Sequence, residues 1–218
     1  MVDNARGTPL PASLARLPMK TLRPRDAAVA YAHPRAQVAR LADRGLLHRV
    51  ADGYYIVVPP DHVGQRWLPP LEAAAAGIGT TIYGADHAVL MGVSAARVLG
   101  AIPRALATAV VAVPKPHRPI TLSDRAATVV FVKRDPQRLD VERIATALGP
   151  ALTTTPEQTL LDLAHRSTLG DAEADVPGAV TALYERSDRE RLEELAGQQR
   201  LTASLRRVEA WMGARRGR

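Results

Sequence analysis

The chain contains no cysteine, and that one absence removes disulfide scaffolds, thiol nucleophiles and thiolate zinc sites together. Only histidines and carboxylates are left as metal ligands. No apolar run approaches the roughly 18 residues needed to span a bilayer. The opening MVDNARGTPLPASL has no apolar stretch of signal-peptide length, so the expected location is the cytoplasm, away from any membrane. The phosphate-binding and catalytic signatures are missing too: there is no Walker-type loop, no G-x-G-x-x-G, no H-E-x-x-H and no G-x-S-x-G. Internal repeats and low-complexity tracts are also absent. Lysine is scarce, at three residues (Lys20, Lys115 and Lys133).

What is present is an ordinary globular composition of 218 residues, 46% hydrophobic and 23% charged, enough for one large domain or two small ones. The net charge of +7 points to anionic partners. That total is weak evidence, because scarce lysine and 38 alanines together are what a GC-rich coding sequence yields unaided. The distribution of charge says more. Residues 1–66 carry ten Lys/Arg against five Asp/Glu, residues 67–150 nine against six, and residues 151–218 ten against eleven. A basic front and a nearly neutral remainder suggest a division at Trp67-Leu68-Pro69-Pro70, into 1–66 and 67–218. The tails Met1–Pro11 and Gly213–Arg218 read as loose ends.

Within the basic front the hydrophobic period changes twice. Arg25 to Ala32 is alanine-rich and predicts a helix. His33-Pro34 breaks it, and a second helix runs from Pro34 to Arg44. At 100° per residue Val38, Leu41 and Ala42 share an inward face, while Arg40 and Arg44 lie opposite with Arg35 at the edge. Gly45 stands where a left-handed cap is wanted. Leu47–Val50 and Tyr54–Val58 read as strands about an Asp52-Gly53 turn. Helix, turn, basic helix and hairpin follow the order of a winged helix-turn-helix, which would lay its second helix in the major groove.

The candidate DNA-contacting residues are Lys20, Arg23, Arg25, Arg35, Gln37, Arg40, Arg44, Arg49 and Tyr54. Arginine on the second helix suits guanine edges, because its fork bonds O6 and N7 together. Arg23 and Arg25, at the start of the first helix, suit phosphates. The alternative for the same arginines is a solvated helix face. Of Tyr54 and Tyr55, adjacent in a strand, one should pack inward and the other lie exposed.

From Leu71 the chain reads as mixed α and β with a helical end, so the expected fold class is α+β. Leu71–Ala76 reads as helix, Thr80–Tyr83 as extended, Asp86–Met91 as helix capped by Gly92, and Ser94 as the cap of a short helix to Leu99. Thr108–Val113 and Thr128–Val132 are β-branched runs, expected as neighbours in one sheet. Thr155-Pro156-Glu157-Gln158 opens a helix that turns Leu160, Leu161, Leu163 and Ala164 inward. Ser187-Asp188-Arg189-Glu190 is a second capping box, and a last helix covers about Ala203–Met212. Asp162 and His165, three apart, are the nearest approach to a metal pair, and no second such pair exists. Lys133 after TVVFV is reminiscent of a metal-nuclease core, but Phe131 stands where its acidic ligand belongs. No catalytic residue, cofactor or metal is therefore expected.

The order of landmarks resembles the AbiEi-type antitoxins of two-gene (abortive infection, type IV) toxin–antitoxin systems. The similar segments are VARLADRGLLHRVADGYYIVVP, IYGADHAVLMGV, ATAVVAVPKPHRP, TTTPEQTLLDLAHRS and RLEELAGQQRLTASLRRVEAWM, and the resemblance covers about Thr21 to Trp211. Departures are Tyr54-Tyr55, where the family often has one aromatic, and His33-Pro34, where Ser or Thr commonly opens the second helix. The resemblance implies a cytoplasmic transcriptional autorepressor that binds inverted repeats in its own promoter and opposes a co-transcribed nucleotidyltransferase-like toxin, and because one winged helix reads only a half-site, self-association on DNA is expected. The rival reading is a non-enzymatic interaction module that neutralises a partner without specific DNA binding.

Overall fold

In a computed structural model, which describes residues 10–216, the chain forms a small front unit and a larger body that share one seam. The front unit holds helix α1 (Ala12–Ala15), strand β1 (Thr21–Leu22), helix α2 (Pro34–Asp43) and the hairpin β2 (Leu47–Ala51) and β3 (Tyr54–Val57). The body continues with α3 (Leu71–Tyr83), β4 (Val89–Leu90), α4 (Val93–Val98), β5 (Thr108–Val113), β6 (Ile120–Thr121), β7 (Thr128–Lys133), β8 (Val141–Thr146) and β9 (Gly149–Thr154). Four helices close the chain: α5 (Pro156–His165), α6 (Val176–Tyr184), α7 (Arg189–Gln198) and α8 (Thr202–Arg216). The class is α+β.

Two sheets organise these elements. The front sheet has strand order β1-β3-β2, and the body sheet β6-β7-β5-β4-β9-β8. β5 and β7 run parallel and in register from Thr108↔Thr128 to Val113↔Lys133, as their matched β-branched runs predict. On one face of the body sheet, α5 buries Leu160, Leu161 and Leu163 among the closing helices. The other face meets α3, whose Ala73–Ala76 run and Ile78 are buried.

Several expectations need correcting. Arg25–Ala32 is a 3-10 turn over Pro24–Val29, begun by Pro24 and held by Asp26 bonding back to the Arg23 N–H. Thr80–Tyr83 is the last turn of α3, not extended. Its β-branched residues are tolerated there because Thr81 Oγ1 donates to the Gly77 carbonyl one turn back, and Gly84 ends the helix. Asp86–Met91 is a turn feeding β4, whose fully buried Val89 and Leu90 fill the slot between β5 and β9. An apolar run so short does not distinguish helix from strand by period. Gly92 precedes α4 instead of ending a helix, and Ser94 lies inside α4, where its Oγ accepts from the Val110 N–H at 2.7 Å.

At the helical end, Asp188 caps α7 by accepting from the Arg191 N–H at 3.1 Å, one residue later than the expected Ser187. Ser187 instead donates to the Leu183 carbonyl at the close of α6. The Thr155 cap of α5 is present, but the Gln158 side chain turns to Asp162 and the Asp140 N–H and does not close the box. Of the expected loose ends, Gly213–Arg216 continue α8; residues 1–9, 217 and 218 lie outside the described residues.

Candidate nucleic-acid interface

α2 forms where expected, because Pro34 presets the first helical φ and the apolar residues recur on one side. Val38 and Leu41 are buried in the front core with Leu14, Leu22, Ala27, Leu47 and Val57. Gly45, at φ 70°, takes the left-handed position that ends the helix, and Leu46 N–H returns to the Leu41 carbonyl. Burying one face leaves Arg35 and Arg40 exposed on the other, with Gln37 half-buried beside them and Arg44 exposed at the helix end. Among the described residues neither the Arg35 nor the Arg40 side chain has an ion-pair or hydrogen-bond partner. In the body, Arg104, Arg125, Arg134, Arg143 and Arg191 are tied to carboxylates, while among the described residues others such as Arg138 and Arg200 are not.

The remaining candidates fall into two groups. Arg25 is 72% exposed and only loosely paired with Asp26, at 3.8 Å. Arg49, at the hairpin end, donates to Asp52 Oδ1 at 2.6 Å, so the turn carries its own counter-charge. Lys20 is half-buried beside α3, in left-handed backbone at φ 48°. Arg23 is turned inward: Nε pairs with Asp26 at 3.3 Å, and Nη2 donates to the Thr81 carbonyl of α3 at 2.6 Å. Tyr54 and Tyr55 do not divide into one buried and one exposed. Both are half-buried, Tyr54 against the body core and Tyr55 against the front core. Burial pushes the Tyr54 hydroxyl above its ordinary pKa, against the pull of Arg23 and Arg25.

This alternation explains how the front unit is held. Along β3, Tyr55 and Val57 face α2 while Tyr54 and Ile56 face α3, so the front sheet is covered on both sides. The seam is close. A Cβ on Gly77 of α3 would lie 3.1 Å from Thr21 Cβ and overlap Thr21 Oγ1, so glycine is what lets β1 cross the helix. The hairpin's other end is clasped as well: Val50 accepts from the Ser123 N–H at 2.9 Å, and His48 Nε2 donates to Asp124 Oδ2 at 2.7 Å. Asp124 is buried, which raises its pKa, but hydrogen bonds from Arg125 and His48 outweigh that and hold the carboxyl below its ordinary range. None of these long-range partners has a local sequence signal.

The proposed Asp162–His165 pair does not converge, since Asp162 is buried and His165 is exposed. Burial pushes Asp162 up to about 6, against the opposing pull of Arg134 and Gln158. Its Oδ1 receives both of those donors, and its Oδ2 has none among the described residues. Among the described residues no group of three histidines and carboxylates is placed to hold a metal, and no helix is long and apolar enough to cross a membrane.

Among curated proteins none matches this chain. Among solved structures, the RV2827C protein from Mycobacterium tuberculosis is similar in fold, with a TM-score of 0.53 at 20% identity over 92% of this chain and 78% of that one. The sequence profile of the AbiEi antitoxin C-terminal domain matches residues 87–210, which is most of the body and more than half of the chain. The chain belongs to the AbiEi antitoxin family.

Proposed function

We propose that this antitoxin is also a DNA-binding autorepressor of a type IV system, with residues 1–66 acting as a winged helix-turn-helix and residues 67–218 as the part that opposes the toxin. The observation that carries the DNA reading is the outward face of α2, where Arg35 and Arg40 stand exposed on one helix, their side chains without a partner among the described residues. In this reading α2 enters the major groove, Arg35, Gln37 and Arg40 reach base edges, and Arg25, Arg44, Arg49 and Lys20 approach phosphates. Arg23 and Tyr54 serve from behind, Arg23 by tying the 3-10 turn to α3 and Tyr54 by packing on the body.

One such helix reads a half-site, so the operator is an inverted repeat occupied by two chains in the cytoplasm. The toxin partner is a co-transcribed nucleotidyltransferase-like protein. The test is a footprint of the full chain on the DNA upstream of its own gene. Protection of an inverted repeat is expected, and uniform or absent protection overturns the proposal.

A specific feature favours the second reading, a protein-binding front unit. Beside α2 lies a hollow of about 470 Å³ lined by Tyr31, Gln37, Arg40 and Arg44, and Val29 of the preceding turn is 67% exposed. Capture of a partner there would give binding that is insensitive to duplex DNA.

A further inference from the structure

A cleft in the body, far along the chain from α2, gathers three arginines and a histidine against a single carboxylate on its lining. It has a volume of about 440 Å³. Arg134, just after β7, forms its floor and is held in place from below, Nη1 donating to Asp162 Oδ1 at 3.4 Å and Nη2 to Gln199 Oε1 at 3.2 Å. Arg138 enters from the 3-10 turn Pro136–Arg138, His165 from the end of α5, and Arg200 from the turn between α7 and α8. Among the described residues the side chains of Arg138, His165 and Arg200 have no hydrogen-bond or ion-pair partner. The one carboxylate on the lining, Asp135, already accepts from the Gln137 N–H at 3.1 Å. Like charges gathered in this way repel one another unless an anion joins them.

Arg200 adds an independent observation. It lies at φ 59°, in the left-handed position after α7 that usually falls to glycine, with Leu201 N–H returning to the Ala196 carbonyl at 2.8 Å. An arginine held in unfavourable backbone at the mouth of a basic cleft is a residue kept for its side chain. Leu139 and Leu201 give the cleft an apolar wall beside the guanidinium groups. The volume falls within the roughly 300–1,000 Å³ of small-molecule sites and exceeds what a lone phosphate fills.

We infer that this cleft binds a nucleoside di- or triphosphate, with Arg134, Arg138 and Arg200 on the phosphoryl oxygens and the nucleoside against Leu139 and Leu201. Guanidinium forks match phosphoryl oxygens in pairs, and their flat faces accept a stacked base. The site is independent of the DNA reading.

The test is calorimetric titration of the full chain with ADP, free of divalent cations, alongside inorganic pyrophosphate, adenosine and a single-stranded oligonucleotide. ADP should bind, adenosine should not, and pyrophosphate should bind at least tenfold more weakly than ADP. Arg138→Ala and Arg200→Gly should each weaken ADP by tenfold or more. Arg200→Gly should melt no lower than the parent, since glycine relieves the backbone, so its loss of binding cannot be put down to misfolding. Arg40→Ala should leave ADP binding unchanged, which separates a failure here from a failure of the DNA reading. Absence of heat at millimolar ADP, or ADP binding indifferent to both arginine variants, would overturn the inference. Equal affinity for pyrophosphate, or much tighter binding of the oligonucleotide, would overturn the assignment to a free nucleotide.

Discussion

Single side chains separate reading from scaffolding. Arg40 projects from α2 opposite Val38 and Leu41, so Arg40→Ala should cost about 1–3 kcal/mol on the cognate operator and much less on random duplex. Competition binding against both DNAs measures it, and an equal loss on both would remove α2 as the reading helix. Arg23→Ala should behave differently. Its guanidinium bonds Asp26 and the Thr81 carbonyl, so its loss should lower the melting temperature and weaken all DNA alike. Asp162 gives a pH signature. Its carboxyl ordinarily titrates near 3.8 and in the fold near 6, so the native state holds the proton longer than the unfolded chain does. Stability therefore falls as pH rises through that window, by about 3 kcal/mol from this group, and stays reduced above it. In Asp162→Asn that part of the fall should vanish from denaturant titrations at pH 4 and pH 7; an unchanged difference would refute the burial argument.

At the level of elements, the seam between β1 and α3 rests on Gly77. Gly77→Ala would gain about 1 kcal/mol of helix propensity but place a methyl group on Thr21, an overpacking that costs about 1–3 kcal/mol. Net destabilisation in thermal melts is expected, with recovery in the double variant Gly77→Ala/Thr21→Ala. No recovery would place the clash elsewhere. What the sequence showed of these elements follows the reach of its signals. α2, the hairpin, β5, β7 and the start of α5 are set by period, Pro, Asp-Gly and capping residues a few positions away, and they lie where expected. Thr80–Tyr83 and Asp86–Met91 depart from their local signals because tertiary placement decides them: a back-bond to Gly77 in one, a central slot in the sheet in the other. The hairpin β8–β9 and the helix α6 gave no sufficient local signal. On the interface, the outward arginines of α2 were legible from helical period. The inward turn of Arg23 was not, because its partner is a carbonyl 58 residues away. The basic cleft was equally invisible, being assembled from separate segments between Arg134 and Leu201.

For the whole molecule, the shared seam ties the unit proposed to bind DNA to the body. Met19, Val50, Ala51 and Ile56 of the front unit are buried in one core with Ala74, Ile78 and Val111 of the body. Residues 1–66 alone would expose that face, so the fragment should bind an inverted repeat much more weakly than the full chain, in stability as well as in pairing of half-sites. Fragment and full chain binding alike would deny the body this role. The proposed function sets exposed arginines, on a helix held by the body, against a duplex. Its most direct measurement is the affinity of the full chain for its operator across a salt series, repeated for the double variant Arg35→Ala/Arg40→Ala. The parent should lose log K linearly with log salt, at a slope of about −0.9 per phosphate contact, and the variant should bind the operator no better than random duplex. A slope indistinguishable from zero, or an operator preference unchanged in the variant, would contradict it.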